Sequence, residues 1–439
     1  MLSKQLLFFP DIELKNDLPY QANKVCESDL PVHDWYRFVL SFPPHLVRQY
    51  VERFGLKAGN TLLDQFCGTG TTLVEAKFLG LKGVGVEANQ MAFFASSVKC
   101  RWDVETPQFL DDAKQIEKNA ATSIKNAKSL HTLTEDENEI LLSDSIAEIP
   151  LHRTLILRDA IKQQASIYED HFLLALAMST VRYCSRLRFG PEVGVSYRKK
   201  TDEDVLACWF KTVRVMADDL TILQSRRKMF SDVTVIHGDA RNINDSIKER
   251  TIDAVFTSPP YPNEKDYTRT TRLESVLLGF IKNKDDLRQM KERLLRSNTR
   301  NIYKNDRDDD FILHHPEILH IAETIENKRI QMGKTSGFEK QYHKVVRQYF
   351  GGMARHLAGL KPVLKKNAML GYVVGDQASF LQVYIPTAKI LADIAESIGY
   401  KVIAIDLFRT RFATATRKAM NEEVLVLQWK GDLDYSQLT

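Results

Sequence analysis

The segment TSPPY, residues 257–261, directly follows an apolar run and brings several hydrogen-bond acceptors together. Pro259 and Pro260 have no backbone N–H and a fixed φ angle, so the carbonyl groups of Ser258 and Pro259 are held outward as rigid acceptors. Together with the Ser258 side-chain oxygen they suit an exocyclic amino group, and the Tyr261 ring offers a surface on which an extruded base can stack. The segment therefore predicts a site that holds an amine. The alternative is a proline-rich turn that only ends a strand.

A second polar segment, DQFCGTGTT from Asp64 to Thr72, places two glycines where a predicted strand turns into a helix. Glycine lets a ligand approach the backbone without meeting a Cβ atom, and the first turn of the helix presents unpaired amide groups. The segment lacks the Lys-Ser/Thr ending of a P-loop and the full GxGxxG spacing of a dinucleotide site. It predicts a polar ligand, and the alternative is a tight turn that only closes a strand-helix unit.

Two acidic residues follow other predicted strands. Glu87 ends the strand after the glycine turn, at the distance where an acid can accept hydrogen bonds from both hydroxyls of a ribose. Asp239, in VIHGDAR, ends a later strand and could accept a hydrogen bond from an adenine amino group. Either acid alone is ordinary at a strand end, but the glycine turn and Glu87 together favour a nucleoside ligand.

The segments around these residues form a β-turn-α-β pattern. A short helix opened by prolines is predicted in FPPHLVRQYVERF, from Phe42, and two glycines end it. The strand TLLDQF, the glycine turn, the helix LVEAKFLGL and the strand GVGVEAN follow, as in parallel nucleotide-binding sheets. The preceding residues, 1–40, are irregular and proline-punctuated, and we expect them to form an arm over the core.

Two segments interrupt this pattern. Residues 101–229 have helical spacing and no strand signal, and they predict a helical insertion. Strand signals resume in DVTVIHGDA and TIDAVFT, before a second, charge-rich insertion at residues 263–341. The helix VVRQYFGGMARHLAGLKPVL then leads to predicted strands in AMLGYVVGD, KVIAIDLF and EEVLVLQW. One discontinuous domain is therefore predicted from residues 41–100, 230–262 and 342–432.

The composition narrows the class of protein. The chain has 439 residues, 44% of them hydrophobic, which is enough for a large core and for more than one compact unit. The net charge of +4 is small, so any phosphate-binding surface must come from local clusters of basic residues. The five cysteines form no CxxC pair, the histidines form no HxxH or HExxH pattern, and no signal peptide or membrane-length apolar run is evident. We expect a cytoplasmic protein without a metal site or a membrane contact.

These segments resemble the DNA amino-methyltransferases, which form N4-methylcytosine or N6-methyladenine. TSPPY matches the catalytic motif, DQFCGTGTT the loop at the methionine end of the cofactor, Glu87 the ribose acid and GDA around Asp239 the adenine-side acid. FPPHLV is similar to an additional cofactor motif, and GYVVGD and FRTRFATATRKAMNEEVLVLQW resemble the last strands, including an antiparallel hairpin. The cofactor motif precedes the catalytic motif, as in some groups of the family. The resemblance covers the sheet and not the two insertions.

The resemblance implies an α/β fold, a Rossmann-like class I methyltransferase sheet with helical insertions, and S-adenosyl-L-methionine as cofactor. It implies direct in-line attack by the amine of a flipped base on the sulfonium methyl group. The implied catalytic residues are Ser258, Pro259, Pro260 and Tyr261. The implied cofactor-binding residues are Asp64, Phe66, Cys67, Gly68, Gly70, Thr71, Glu87, Asp239 and Ala240.

The sequence is compatible with more than one target base and more than one class of substrate. Serine at the first catalytic position resembles the cytosine-N4 enzymes more than the Asp/Asn-Pro-Pro-Tyr of most adenine-N6 enzymes, so we favour cytosine N4 and keep adenine N6 as the alternative. An RNA base methyltransferase could use the same cofactor loop. An inert DNA-binding relative would keep the fold without activity, and a small-molecule or protein-glutamine methyltransferase is a further alternative because amide nitrogens also suit the motif.

The expected macromolecular partner is double-stranded DNA, with a cognate restriction endonuclease as a possible separate partner. Two basic stretches, residues 182–200 and 293–304, mix arginine with tyrosine, serine or asparagine, as phosphate and base-edge contacts require. The alternative for each stretch is a solvated surface. The residues predicted to contact DNA are Arg182, Arg186, Arg188, Arg198, Lys199, Arg269 and Arg272. Residues 101–229 are the candidate target-recognition region, and residues 263–341 a candidate DNA contact.

Overall fold

The computed structural model describes residues 29–37, 41–190, 193–196, 201–225, 230–243, 246–263, 265–413 and 418–431. Most of the predicted N-terminal arm, together with Arg198 and Lys199, lies outside the described residues. The strands are β1 (Thr61–Asp64), β2 (Lys82–Glu87), β3 (Leu187–Phe189), β4 (Val193–Val195), β5 (Val233–His237), β6 (Ile252–Thr257), β7 (Leu364–Gly375), β8 (Lys401–Ala413) and β9 (Lys418–Gln428).

The helices fall mainly in the two predicted insertions and along the sheet. The first half of the chain contains α1 (Pro44–Arg53), α2 (Thr71–Phe78), α3 (Gln90–Lys99), α4 (Thr106–Asn126), α5 (Glu135–Ile140), α6 (Glu148–Gln164), α7 (Glu169–Ser179) and α8 (Val205–Ser225). The second half contains α9 (Tyr267–Thr270), α10 (Arg272–Leu277), α11 (Lys284–Glu292), α12 (Pro316–Gln331), α13 (Tyr342–Leu360) and α14 (Thr387–Ser397).

The main sheet has seven strands in the order β5-β2-β1-β6-β7-β9-β8. Neighbouring strands from β5 to β7 run parallel, whereas β9 is antiparallel to both β7 and β8. The predicted α/β class, with a Rossmann-like sheet and a closing antiparallel hairpin, is confirmed. The carboxyl ends of β5, β2, β1 and β6 meet at one edge, where ligands of open α/β sheets bind.

The helices of the first insertion and the later part of the second insertion pack on opposite faces of this sheet, whereas the start of the second insertion packs against the first through Leu273, Val276 and Leu277. Helices α4, α6, α7 and α8 form one apolar core with α2 and α3, with Phe109, Phe172 and Trp209 at its centre. The second insertion contributes Ile312 and Ile318 to the other core, which also contains α13, α14 and sheet residues. The insertions are therefore continuous with the cores on which the sheet rests.

Close packing of α13 against the second insertion depends on two glycines. A Cβ atom on Gly351 would lie 2.0 Å from the backbone oxygen of Asp308, and one on Gly352 would lie 2.5 Å from the side chain of Leu295. A backbone oxygen cannot move away as the end of a side chain can. Glycine at position 351 is therefore required for this approach.

The first insertion is not entirely helical. Strands β3 and β4 form a small antiparallel pair in which Leu187 faces Val195. The expectation of no strand in residues 101–229 was therefore wrong, because strands of three residues are too short to show an alternating pattern. Within the described part of the chain, none of the helices has the length and apolar character needed to cross a membrane.

The described part of the N-terminal segment, residues 29–37, lies over the first core. Asp219 accepts hydrogen bonds from the backbone N–H of Val32 at 2.9 Å and from the indole N–H of Trp35 at 2.8 Å. His33 contacts Glu75 of α2 at 2.9 Å. Since Trp35 is 1% exposed, this part of the predicted arm is anchored in the core.

Candidate active site

A cavity of about 780 Å³ opens at the carboxyl edge of the sheet, and both predicted motifs line it. Its volume falls within the range of roughly 300–1,000 Å³ that is usual for ligand pockets. The predicted site residues that line it are Phe66, Cys67, Gly68, Thr71, Glu87, Asp239, Ala240, Ser258, Pro259, Pro260 and Tyr261. Asp64 and Gly70 are not among the lining residues, and their contacts assign them to the support of the loop.

The glycine loop is held against the end of β2. The backbone N–H of Gly68 donates to Oε2 of Glu87 at 2.8 Å. Gly70 precedes α2 with a φ angle of +83°, and a Cβ atom there would lie 3.0 Å from the side chain of Ser96. No side chain caps the start of α2. The first amide groups of this helix are therefore directed at the cavity edge without a side-chain acceptor.

Glu87 is a buried carboxyl group that two backbone donors orient. Besides Gly68, the N–H of Asn89 donates to its Oε1 at 2.7 Å. Burial raises the pKa of Glu87 to about 7, and the two backbone hydrogen bonds oppose this rise. Each oxygen retains a lone pair, so the ionised carboxylate could accept from two adjacent hydroxyl groups.

Asp64 connects the glycine loop to the TSPPY motif from below the cavity. It is 1% exposed, and its Oδ1 accepts from the hydroxyl of Thr257 at 2.6 Å and from the N–H of Phe66 at 3.1 Å. Burial raises its pKa to about 6, while the hydrogen bond from Thr257 lowers it. This acid fixes the two motifs relative to each other and does not face a ligand.

Asp239 and Ala240 are fixed by residues of other elements. The guanidinium group of Arg241 donates to both oxygens of Asp239, at 3.0 Å from Nε to Oδ1 and at 2.7 Å from Nη2 to Oδ2. The Nδ1–H group of His356 donates to the Ala240 carbonyl at 2.8 Å, so Nε2 accepts from the hydroxyl of Tyr372 at 2.9 Å. Burial lowers the pKa of His356 to about 4, which keeps the ring neutral under Phe66.

The TSPPY motif presents acceptors to the cavity. The hydroxyl of Ser258 donates to the backbone oxygen of Val373 at 3.0 Å, so its lone pairs remain free to accept. Among the described residues, the carbonyl oxygen of Pro259 has no hydrogen-bond donor. The motif therefore provides two oxygens whose hydrogen bonds a ligand N–H group can complete.

The closing hairpin holds the Tyr261 ring. Its hydroxyl donates to Oε1 of Glu422 at 2.6 Å, and Glu422 also pairs with Arg409. Burial and the Glu422 charge raise the pKa of Tyr261 well above its usual value, so the hydroxyl stays protonated. A Cβ atom on Gly375 would lie 3.0 Å from the ring, which therefore packs directly on the end of β7.

Comparisons with known proteins agree with this architecture. Residues 41–145 match the family model described as an RMKL-like, methyltransferase domain. The chain is 26% identical over 442 residues to the Type II methyltransferase M.BsoBI of Geobacillus stearothermophilus, covering 91% of this chain and 84% of that protein. It is 23% identical over 402 residues to the Type II methyltransferase M.AvaI of Nostoc sp., covering 87% of this chain and 81% of that protein.

These matches support a DNA methyltransferase.

A short segment of the chain is also similar to a tRNA methyltransferase. A stretch of 47 residues is 47% identical to a tRNA (guanine(10)-N2)-dimethyltransferase of Methanothermobacter thermautotrophicus, covering 11% of this chain and 14% of that protein. The two Type II enzymes instead match most of the chain, insertions included. The full-length resemblance is therefore to the Type II methyltransferases.

The arginines predicted to contact DNA have different environments in this methyltransferase. Arg182 is exposed, lines the cavity and pairs with Asp34 at 3.0 Å, and Arg188 is exposed on β3. Arg186 is mostly covered, with its guanidinium group 3.9 Å from Asp144. Arg198 and Lys199 lie outside the described residues, so their placement stays a prediction.

The other two predicted arginines follow the catalytic motif. Arg272 donates to the hydroxyl of Thr268 at 2.7 Å and to the backbone oxygen of Ile140 at 3.0 Å, and its side chain is 12% exposed. These contacts give Arg272 a structural role, and we no longer assign it to phosphate binding. Arg269 is half-buried beside it and is not among the residues that line the cavity.

Several cavity residues of the methyltransferase were missed by sequence reasoning. They come from distant segments: Tyr36, Gln65, Tyr267, Glu274, Arg409, Arg411 and Glu422. Tyr36 donates to Glu274, whose pKa burial raises to about 7. Of this set, Gln65 alone had a local signal, because it stands inside the quoted glycine segment.

Among the described residues, no group of His, Cys, Asp and Glu side chains is arranged to bind a metal ion.

Proposed function

We propose that this DNA methyltransferase transfers a methyl group from S-adenosyl-L-methionine to N4 of a cytosine flipped out of double-stranded DNA. The observation that carries the proposal is that one cavity joins a nucleoside-type cofactor loop, including Glu87, to the acceptor oxygens of Ser258 and Pro259. A methyl donor and an exocyclic amine bound in these places would lie next to each other.

The residues around the glycine loop fit such a cofactor. Glu87 has one free lone pair on each carboxylate oxygen for the two ribose hydroxyls, and backbone N–H groups fix its orientation. Asp239 and Ala240 line the cavity on the side of β5, where an adenine would follow the ribose. When bound, the cofactor supplies an electrophilic methyl group on a sulfonium ion.

Two oxygens orient the attacking amine. Because the Ser258 hydroxyl donates a hydrogen bond to the backbone oxygen of Val373, its own oxygen is available to accept one from a bound amino group. The Pro259 carbonyl is a second acceptor. When the amine donates one hydrogen bond to each of the two oxygens, its nitrogen lone pair is turned towards the methyl group. A sulfonium cofactor held by Glu87 and the glycine loop would supply the methyl group and leave as the thioether S-adenosylhomocysteine, and the surplus proton on nitrogen would pass to solvent. Positioning and exclusion of water supply most of the acceleration.

Tyr261 is the proposed stacking partner for the flipped base. Glu422 holds its hydroxyl and Gly375 supports the ring, so the ring is fixed before DNA binds. Aromatic stacking of a flipped base offsets part of the few kcal/mol that unstacking costs. The preference for cytosine over adenine follows from the serine at position 258 and from the resemblance to cytosine-N4 enzymes.

DNA contact is proposed for the cavity mouth on the side of the first insertion. Arg182 is exposed there and lines the cavity, as does Arg293 of the second insertion, while Arg188 is exposed on β3 between the cavity-lining residues Leu187 and Phe189. Basic side chains around the opening would hold the phosphates next to a flipped nucleotide. The likeness to Type II methyltransferases also supports a cognate restriction endonuclease as a separate protein.

The proposal is tested by incubating the purified protein with mixed-sequence duplex DNA and methyl-labelled S-adenosylmethionine, and by identifying labelled nucleosides by mass spectrometry. We expect label in N4-methylcytosine and at least a ~100-fold loss of label with Ser258→Ala. Label in N6-methyladenine would refute the cytosine assignment. Label in structured RNA but not in DNA would favour an RNA base methyltransferase.

A further inference from the structure

Gln65 has a buried side-chain amide that forms no hydrogen bond with the described residues. It follows Asp64 at the end of β1, is 1% exposed, and belongs to the residues that line the cavity. Within the described residues, neither its Nε2 nor its Oε1 has a hydrogen-bond partner. A buried amide in this state destabilises the folded protein, and such groups are rare without a functional reason.

The position of Gln65 determines which part of a ligand it would meet. In the proposed function, the ribose lies at the end of β2, next to Glu87, and the target amine lies at the end of β6, next to Ser258. Strand β1 runs between these two strands. In the proposed function, the sulfur atom that carries the adenosyl and the methyl group would therefore lie near the end of β1.

A sulfonium in that place has one further substituent, the chain that ends in an α-amino acid. This group carries a carboxylate, which accepts hydrogen bonds, and an ammonium, which donates them. A primary amide matches both, because Nε2 donates and Oε1 accepts. Thr71 also lines the cavity, at the start of α2, where no side chain caps the helix. The unpaired backbone N–H groups in the first turn of α2 favour a carboxylate nearby.

We propose that the Gln65 side chain binds the α-amino acid group of S-adenosylmethionine, with Nε2 donating to the carboxylate and Oε1 accepting from the ammonium. This inference rests on the proposed function and adds a cofactor-binding residue to it. The side chain distinguishes ligands with the amino acid group from nucleosides that lack it.

The test is equilibrium binding, measured by calorimetry, of two ligands that share the adenosine and the thioether. S-adenosylhomocysteine carries the amino acid group, and 5′-methylthioadenosine lacks it. Gln65→Met keeps the unbranched side chain and removes both polar atoms. We expect the Kd for S-adenosylhomocysteine to rise by ~10- to 100-fold and the Kd for methylthioadenosine to change by less than about twofold.

Thermal unfolding without ligand provides a second readout. If Gln65 serves a ligand, Gln65→Met removes an unpaired buried amide, so the Tm stays the same or rises. If Gln65 is a structural residue, the Tm falls and binding of both ligands weakens equally, which would overturn the inference.

Gln348→Met is the matched control. Gln348 is also a buried glutamine, but its Nε2 donates to Asp309 at 2.7 Å and it does not belong to the cavity lining. We expect this variant to lower the Tm and to leave both Kd values unchanged. A wild-type protein that binds neither ligand would refute the proposed cofactor itself. A wild-type protein that binds both, with an unchanged ratio of Kd values in Gln65→Met, would refute only the role of Gln65.

Discussion

The hydroxyl of Thr257 donates a 2.6 Å hydrogen bond to the buried carboxyl group of Asp64. Thr257 is the first residue of the TSPPY motif, and Asp64 is the first residue of the glycine segment. The same oxygen of Asp64 accepts the N–H of Phe66, inside the loop. One buried acid therefore sets the relative position of the two segments that would hold the methyl donor and its acceptor.

Thr257→Val should uncouple these two segments. The variant keeps the shape of the side chain but removes a hydrogen bond to a buried acid, so we expect the free energy of unfolding to fall by about 1–3 kcal/mol. Both cofactor affinity and methylation rate should fall with it. Urea unfolding measures the loss, and Thr234→Val, at an exposed position of β5, serves as the control. Equal stability of the two variants would show that the hydrogen bond has no structural role.

Glu422→Gln should affect the orientation of the Tyr261 ring and not the binding of cofactor. Glutamine can still accept from the Tyr261 hydroxyl but loses the charge that pairs with Arg409. We expect kcat to fall by roughly 10-fold, since small misplacements of a positioned group lower rates to this extent. Tyr261→Phe should behave similarly, and Tyr261→Ala should lose far more. A change in S-adenosylhomocysteine affinity in Glu422→Gln would contradict a role limited to the base side of the cavity.

Cofactor affinity should depend on pH through Glu87. The pKa of this carboxyl is raised by burial to about 7, and the ionised form is the one that accepts from both ribose hydroxyls. Binding should therefore be constant above pH 8 and should weaken by up to ~10-fold for each pH unit below 7. Calorimetry with S-adenosylhomocysteine between pH 5.5 and 8.5 measures this, at roughly half-unit steps. Glu87→Gln should bind weakly at all pH values, whereas an unchanged pH profile in this variant would assign the effect to Asp64, whose pKa is about 6.

Glu274→Gln should stabilise the protein at high pH. Burial raises the pKa of Glu274 from 4.5 to about 7. Below pH 4.5 both the folded and the unfolded state are protonated, and between pH 4.5 and 7 only the unfolded state ionises, so stability falls as the pH rises. Above pH 7 the full loss, about 3 kcal/mol, is present. Urea unfolding at about pH 4 and pH 8 should show the gain for Glu274→Gln only at the higher pH, and Glu396→Gln, at an exposed position, should show none.

Arg188→Ala should weaken DNA binding and reduce its dependence on salt. If Arg188 contacts one phosphate, the slope of log K against log salt concentration should fall in magnitude by ~0.9. Binding to a mixed-sequence duplex at several salt concentrations measures the slope. Lys125→Ala, at the exposed end of α4, should leave it unchanged. Equal slopes for wild type and Arg188→Ala would exclude this residue from the DNA surface.

The sequence predicted the sheet and the two ends of the cavity because both depend on local patterns. Gly68 and Gly70 follow a buried strand directly, and Ser258 to Tyr261 follow another, so strand order alone brings them to one edge. The β3–β4 pair was missed because its strands are too short to alternate. The buried role of Asp64 was also missed, because an acid in a loop motif gives no local sign of whether it faces a ligand or a neighbouring strand.

The partners of Tyr261 could not be predicted from sequence. Glu422 lies 161 residues further along the chain, and its contact depends on the insertion of β9 between β7 and β8. Similarly, the environment of Arg272 depends on Ile140 in the other insertion. A basic residue near a motif gives no indication of whether its guanidinium group faces solvent or carbonyl groups of the protein.

The contact between Gly351 and the backbone of Asp308 limits how the second insertion can be replaced. The second insertion is joined to α13 through a place where only a hydrogen atom fits, and its Ile312 and Ile318 belong to the core under the sheet. Such a segment cannot be replaced as a whole by that of a relative, because the new segment would have to make the same close contact with Gly351. If the second insertion contacts DNA, as proposed, a change of sequence specificity there would have to come from substitutions on its existing surface.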